Sequence, residues 1–558
     1  MTSLSLGQHF NRDTVSRLSS TGLSSRGSRK STTEDGTADY NATLLDPGAA
    51  EDRGPGGGAP LSLLAPENCA LAAHYVCIGV VNGLLQNALQ PYCQYVVHGA
   101  PNQCSTLATF VNLPWGFKVF YGLLSDAVPI CGQHRKPYLI IGWSLTFLGS
   151  LSIALLGSFG VPLSLEVIAS IFLAITFAYI IADCAADASV VAYTALEPEE
   201  TRGSLITTAY LIRFIANIFS SSVLAFLFNG PPTEGSFSFG LTTSQLLWIV
   251  VGTVALLMAP TLVLLKEPLD AQEDPIPIGE RLLEFRNLMA QPAAYRIAIA
   301  MTGLTTLSLV TNNASNNANA AWFHMTPLQF GISSAINNVV LSLGMWLFKR
   351  YLLNVNWRLS FAFGIVGMQV LGLVYLLTIY VPTFRDGWWI VFTSQDQELA
   401  YTLIFAIGVV IIPEIALPGF EGITYGAITT YQNCAQNITA VLNNLLLAIW
   451  ESNTSDEDIK ADTPTVRRHM AYLTVLTVLV ALSSLLWLPL LPSQKPAIAQ
   501  LKTQPSSVLM GNLMMVLLMC GGEARTRAAP RALRMAVLLT PPSPLTARVP
   551  PTLATAAR

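Results

Sequence analysis

The chain has 558 residues, 52% of them hydrophobic and only 11% charged, against the roughly 25% charged expected of a soluble domain. That deficit excludes an ordinary soluble protein and points to a membrane protein. Residues 67–490 carry a net charge of −9 without a basic stripe, which argues against nucleic-acid binding, because phosphate affinity comes mainly from clustered Lys and Arg.

Residues 1–66 come first, rich in Ser, Thr, Gly and Arg and without a long apolar run, so they are expected to form a disordered cytosolic tail. They carry no secretory signal, although residues 1–31, with Arg12, Arg17, Arg26, Arg29 and Lys30 against Asp13, also have transit-peptide composition. Twelve apolar runs follow, at about 69–90, 105–124, 138–158, 164–190, 204–229, 244–265, 296–320, 328–348, 359–381, 400–417, 425–450 and 469–490, each near the ~20 residues that cross a bilayer. The first, seventh and eleventh are too polar to face lipid all round, so they should face one another or a water-filled cavity. Loops 2–3, 4–5, 6–7 and 8–9 hold ten basic residues and the opposite loops four, which places both termini in the cytosol. Of the sequons at Asn41 and Asn453, only Asn453, in the last external loop, is then open to glycosylation. The plasma membrane is favoured over an organellar envelope. Cys93 and Cys104 flank the first loop; free thiols are expected, a disulfide requiring that loop to face an oxidising compartment. The run 508–520 is too short for a span and is left outside the fold with the basic Pro/Ala/Arg-rich tail 491–558.

The two halves rhyme at a period of about 222 residues, Ile206-Thr207-Thr208 against Ile428-Thr429-Thr430. Such a period is what two parallel repeats leave. The expected organisation is therefore a six-helix bundle at 67–266, an acidic cytosolic linker at 267–292 and a second six-helix bundle at 293–490.

The most specific local signal is GLLSDAVPICGQHRK, residues 122–136. It resembles the gating loop of the major facilitator superfamily, with two extra residues between its Asp and second Gly. The resemblance implies an all-α polytopic fold of the major facilitator type, with 12 transmembrane helices in two bundles. It also implies that Gly122 lets spans 2 and 11 approach closely, that Gly132 belongs to the gating loop, and that Asp126, Arg135 and Lys136 build a charge cluster closing the cytosolic side. Positive-inside loop charge is the blander account of the same residues. The longer block LPWGFKVFYGLLSDAVPICGQHRKPYLIIGW (113–143), together with ADCAADASVVAYTALEPEETRGSLITTAYLIRF (182–214) and LPGFEGITYGAITTYQN (417–433), is similar to the folate–biopterin transporter family. Tyr193 departs from that pattern, standing where members often carry Glu.

Chemistry inside the spans points the same way. Lys118 lies in an apolar run, and an unpaired cation there costs at least about 2.5 kcal/mol, so it needs a partner. Asp183 and Asp187 are one helical turn apart in span 4, and Arg213 in span 5 is the next cation. A structural salt-bridge cluster and a substrate or proton site both remain open for these four. A pterin edge suits a carboxylate such as Asp187, a folate tail suits Lys118 or Arg213, and Trp115, Tyr121, Tyr179 and Tyr210 are available to flank flat rings. The second half offers amides: Asn312, Asn316 and Asn319 on span 7 and Asn433 and Asn437 on span 11, read as a polar cavity wall, with interhelical glue as the alternative. Asp183, Asp187 and Glu414 are the candidate proton carriers. No catalytic grouping, metal cluster or cofactor motif is found, so no enzyme, metal or cofactor is expected. The expected partners are a folate- or pterin-like small molecule, the lipid bilayer and protons. Transport of another small organic solute, or a non-transporting receptor or scaffold, are the competing functions.

Overall fold

A peptide group in hydrocarbon has no water to bond, so a chain this apolar must satisfy its backbone internally, and helices do so within each segment. The computed structural model describes residues 62–519 apart from 66–67, 94–103, 105–106, 109, 162–164, 232–234, 236, 266, 268–276, 324–325, 394–395 and 450–454. Among these the β-type pairing is confined to an isolated bridge, Ile130 with Gln133. The expected N-terminal tail up to residue 61, both sequon asparagines and the basic end of the chain lie outside the described residues.

Among the described residues a helix overlaps each of the twelve stretches, although the second begins only at Lys118 and the seventh breaks after Ser308 before a further helix, Ala314–Phe323. These helices are α1 (Cys69–Pro91), α2 (Lys118–Ala127, entered through the 3-10 turn Leu113–Phe117), α3 (Lys136–Ser158), α4 (Leu165–Ala195), α5 (Ser204–Leu227) and α6 (Thr243–Leu264), then α7 (Pro292–Ser308), α8 (Leu328–Leu352), α9 (Trp357–Tyr380), α10 (Asp396–Ile415), α11 (Glu421–Ala448) and α12 (Pro464–Leu490). Eight of them, α1, α3, α4, α5, α6, α8, α9 and α12, are long and apolar enough to cross a membrane. The chain is therefore a multi-pass integral membrane protein.

Side chains set the helix starts. Thr242 and Thr326 each accept from the backbone N–H three residues on, while the side chains of Gln245 and Gln329 accept from the backbone N–H groups of those same threonines, the reciprocal cap that satisfies two orphan donors at once. Thr463 caps α12 ahead of Pro464, where the missing N–H costs nothing. Absent side chains set the packing. A Cβ at Gly79 would sit 2.5 Å from the Arg213 carbonyl and one at Gly142 2.6 Å from that of Ala178, so α1 meets α5 and α3 meets α4 backbone to backbone.

Three expectations change. Cys93 and Cys104 form a disulfide rather than staying free, because α1 and the second span bring their Cα atoms to 5.6 Å, inside the bonding range. The expected linker contains a helix, Ile278–Met289, that buries Phe285, Leu288 and Met289. Residues 491–519 belong to the fold. Lys495 donates to the Glu199 carbonyl and to Asn354, Ser507 N–H to the Ala290 carbonyl, and the short helix Val508–Met519 buries Met514 and Leu518. Too short to span, that helix gains its stability by packing one face on the bundle, which its length alone did not reveal.

Candidate functional site

Two helix crossings create the site. On the loop 2–3 side α2 and α11 touch: a Cβ at Gly122 would fall on the Gly422 carbonyl, and one at Gly426 would lie 2.5 Å from the Lys118 carbonyl. Towards loop 1–2 the helices diverge around a cavity of about 920 Å³. Its wall includes Asn82 and Gln86 of α1, Trp115 and Lys118 of the second span, Tyr210, Arg213 and Asn217 of α5, Thr305 of α7, Tyr401 and Phe405 of α10, and Tyr425, Gln432, Asn433 and Asn437 of α11. The four helices that fall short as apolar spans, α2, α7, α10 and α11, all contribute to this wall. The first three fall short in described length, whereas α11 is long enough and spends its amides and hydroxyls on the cavity rather than on lipid.

Lys118 is the centre of the charge. It is 2% exposed, and its Nζ donates to Asp183 Oδ2 at 2.7 Å and to Asp187 Oδ2 at 3.4 Å. Arg213 Nη1 reaches Asp183 Oδ1 at 3.3 Å. The hydroxyls of Tyr75 and Tyr210 donate to Asp187 Oδ1 at 2.7 and 3.2 Å, and Tyr210 also bonds Tyr425 across the two halves. Indole and phenol faces complete the cation environment, with Lys118 Nζ 4.8 Å from the Trp115 ring and 5.1 Å from Tyr425. Two cations and two carboxylates thus satisfy each other where water is scarce. Lys118 and Arg213 present themselves to the cavity, whereas Asp183 and Asp187, 0% and 1% exposed, stand behind them.

The structure brings the expected residues together unevenly. Lys118, Tyr210, Arg213, Asn433 and Asn437 line one wall, Asn433 donating to the Trp115 carbonyl at 2.8 Å. Asn312 does not join them: its amide donates to Thr474 Oγ1 at 3.0 Å and it is buried against α12, so it acts as interhelical glue. Asn319 accepts from Tyr375, and the Asn316 side chain lies outside the described residues. Glu414 pairs with Arg202 of loop 4–5 at 3.4 Å, at the end of α10 remote from Lys118. Sequence reading missed His74, Tyr75, Asn82 and Gln86 on α1, although that span's polarity was a signal. It also missed Tyr425 and Gln432, which carry no charge to mark them.

A second cluster forms where α2 ends. Asp126 accepts from Arg135 Nη1 at 2.5 Å and from the Gly422 and Ile423 N–H groups at 3.2 and 2.7 Å, capping the N-terminus of α11 from another helix. Arg135 Nη2 reaches Glu421 at 3.2 Å. Burial alone would weaken the guanidinium's charge, but Asp126 and Glu421 outweigh it and raise the Arg135 pKa above its ordinary value. Gly132 sits at φ +74° in the turn, a conformation open to glycine. Lys136 stands apart from this ion pair, its Nζ donating to the Leu265 carbonyl at 2.6 Å. Glu267, unremarked in the sequence, accepts from the N–H groups of His134, Arg135 and Lys136 and so caps α3.

The chain belongs to the BT1 family, whose model matches residues 78–508. It is 22% identical over 443 residues, 77% of this chain and 83% of the relative, to a folate-biopterin transporter of Synechocystis sp.. Identity is also 22% over 343 residues, 58% of this chain and 72% of the relative, to probable folate-biopterin transporter 7 of Arabidopsis thaliana. Among solved structures, a bacterial homologue of the iron transporter ferroportin in an outward-facing state aligns with a TM-score of 0.48 and 14% identity, over 76% of this chain and 99% of that one.

Proposed function

We propose that this protein is a secondary transporter of folate, a pterin or a related planar anion, working by alternating access. The observation that carries this reading is the cavity itself. It falls within the roughly 300–1,000 Å³ typical of small-molecule sites and lies between helices of both halves, beside the close contact of α2 with α11. Lys118 and Arg213 offer two donors to a carboxylate, while Trp115, Tyr210, Phe405 and Tyr425 supply ring faces. Gln432, Asn433 and Asn82 are the donors and acceptors for a pterin edge, a role that Asp187 cannot fill from behind Tyr210 and Lys118. Asp183 and Asp187 act as counter-ions and candidate proton carriers, and Glu414 is reassigned to the loop 4–5 contact.

Gly122 against Gly422, with Asp126 and Arg135, forms the gate, and loop 2–3 faces the cytosol with both termini. The disulfide in loop 1–2 suits an oxidising exterior. The domains are the two six-helix halves, 67–266 and 293–490, joined at 267–292. In the test, radiolabelled folic acid, biopterin and a panel of other small solutes are offered to transport-null cells expressing the chain. Saturable uptake of the first two supports the proposal; surface-expressed protein that accumulates only another solute defeats the substrate assignment, and one that accumulates nothing favours a receptor. Uptake that rises on external acidification supports proton coupling, and a flat profile rejects it.

A further inference from the structure

We propose that His74 of α1 is a positioning residue that takes over Asp183 when an anionic substrate draws Arg213 into the cavity; this rests on the transport reading above. His74 is fully buried. Its Nδ1 lies 3.1 Å from the Trp143 indole nitrogen. An indole N–H can only donate, so Nδ1 must be the accepting nitrogen, and the single proton of the neutral ring is carried by Nε2. That donor has no hydrogen-bond partner. It points at Asp183 Oδ1 from 3.8 Å, beyond hydrogen-bond reach.

Asp183 Oδ1 already accepts from Arg213 at 3.3 Å, longer than the roughly 2.7–2.9 Å of a well-made charge-assisted bond. Lys118, by contrast, holds the other oxygen at 2.7 Å. The Asp183 carboxylate is thus anchored through Oδ2 and loosely partnered through Oδ1, with a second donor waiting behind it. Arg213 also lines the cavity. A substrate carboxylate that recruits the guanidinium would strip Oδ1 of its partner in a dry setting. A shift of about 1 Å brings Nε2 into bonding range, so the vacated oxygen is satisfied and the cost of moving Arg213 falls. Trp143 orients the ring for this exchange, because its indole N–H occupies Nδ1 and leaves Nε2 as the nitrogen facing Asp183. Sites that must release a charged ligand-binding arm need such a stand-in, since an uncompensated buried carboxylate is costly.

The exchange concerns anions alone, which supplies the test. In cells expressing the full chain, saturation uptake is measured with radiolabelled folic acid, which carries carboxylates, and with biopterin, which carries none. His74→Asn keeps an acceptor for Trp143 but leaves the Nε2 position empty; His74→Gln places an amide N–H there. The expected result is a KM for folic acid raised about tenfold in His74→Asn, a KM for biopterin within twofold of wild type by the same reasoning, and recovery of most of the folic acid loss in His74→Gln. Added to Arg213→Ala, His74→Asn should raise the folic acid KM no further, since no guanidinium is left for the substrate to recruit. An unchanged folic acid KM in well-expressed His74→Asn, or an equal rise for both substrates, overturns the inference while leaving the transport reading intact. A variant that fails to reach the membrane is replaced by His74→Phe in the same comparison. Absence of uptake of either probe by the wild type overturns both readings.

Discussion

Two charge clusters, one at each end of α2, solve the same problem in opposite ways. Around Lys118 the charges are enclosed among α1, α2, α4 and α5, and every partner is a side chain. Around Asp126, eight residues later, two of the acceptor bonds come from the backbone of α11, and the outer partners, Arg135 and Glu421, sit at the edge of a loop. Deleting Lys118 from the first cluster would leave two buried carboxylates with one nearby cation, Arg213. The second lies where water could take over from each partner if the helices parted, as the proposed gate requires. The two clusters thus differ less in charge than in what would replace a lost bond.

The comparison breaks most plainly at Lys118. In Lys118→Ala, Asp183 and Asp187 face each other with Arg213 as their remaining nearby cation, a loss of about 3–5 kcal/mol for a broken buried pair. Uptake should vanish and thermal unfolding of the purified protein should fall, with the protein still present in the membrane. Asp187→Ala should also abolish uptake, with a smaller loss of stability because Lys118 keeps its shorter bond to Asp183. Wild-type uptake in both variants would return the cluster to a purely structural role.

Gly122→Val probes the second cluster without touching charge. The new side chain must displace the Gly422 carbonyl, an overpacking cost of about 1–3 kcal/mol borne only by the state in which α2 and α11 touch. A cysteine near the loop 4–5 end of α5 should then react faster with a polar thiol reagent, and one near the Ser308 end of α7 more slowly, in a background freed of native thiols. Arg135→Ala should move both positions in the same directions by less, since Asp126 keeps its two backbone partners; coupled states of this kind differ by about 1–3 kcal/mol. Faster reaction at both ends in either variant would mean a loosened bundle rather than a gate.

The smallest effect sharpens the contrast on the far side. Burial pushes the Asp462 carboxyl up, but hydrogen bonds from Arg467 and Arg385 outweigh it and hold it below the usual carboxylate range. A depressed folded value means that its stabilisation is fully present above the unfolded pKa of about 3.9 and is lost as pH falls through the folded value. The melting temperature of the wild type should therefore drop more than that of Asp462→Asn on acidification below about pH 4. Parallel curves would show that the pair with Arg385, although at 2.6 Å, contributes nothing net, as many exposed pairs do not.

Much of this was legible in the sequence because it is written locally. A run of apolar residues becomes a helix wherever it lies in a bilayer, so the twelve stretches, the polar character of the first, seventh and eleventh, and the need of Lys118 for an acid could be read without neighbours. The Asn312 amide could not. Its spacing shows one polar face, but a cavity wall and an interhelical contact demand the same face, and only the approach of Thr474 distinguishes them. The helix Val508–Met519 was illegible for a related reason, its stability residing in the groove it fills.

By itself, then, the sequence determined the class of fold, the order of the apolar stretches and which charges had to be paired, since each follows from the cost of polar groups in hydrocarbon. Tertiary structure alone decided which acid meets which cation, that Asp183 and Asp187 stand behind Lys118 rather than on the cavity wall, and that His74 waits beside Asp183. These depend on glycine-to-backbone crossings such as Gly79 on Arg213 and Gly426 on Lys118, which join residues more than a hundred positions apart, and a few ångströms of helix separation there change every partner.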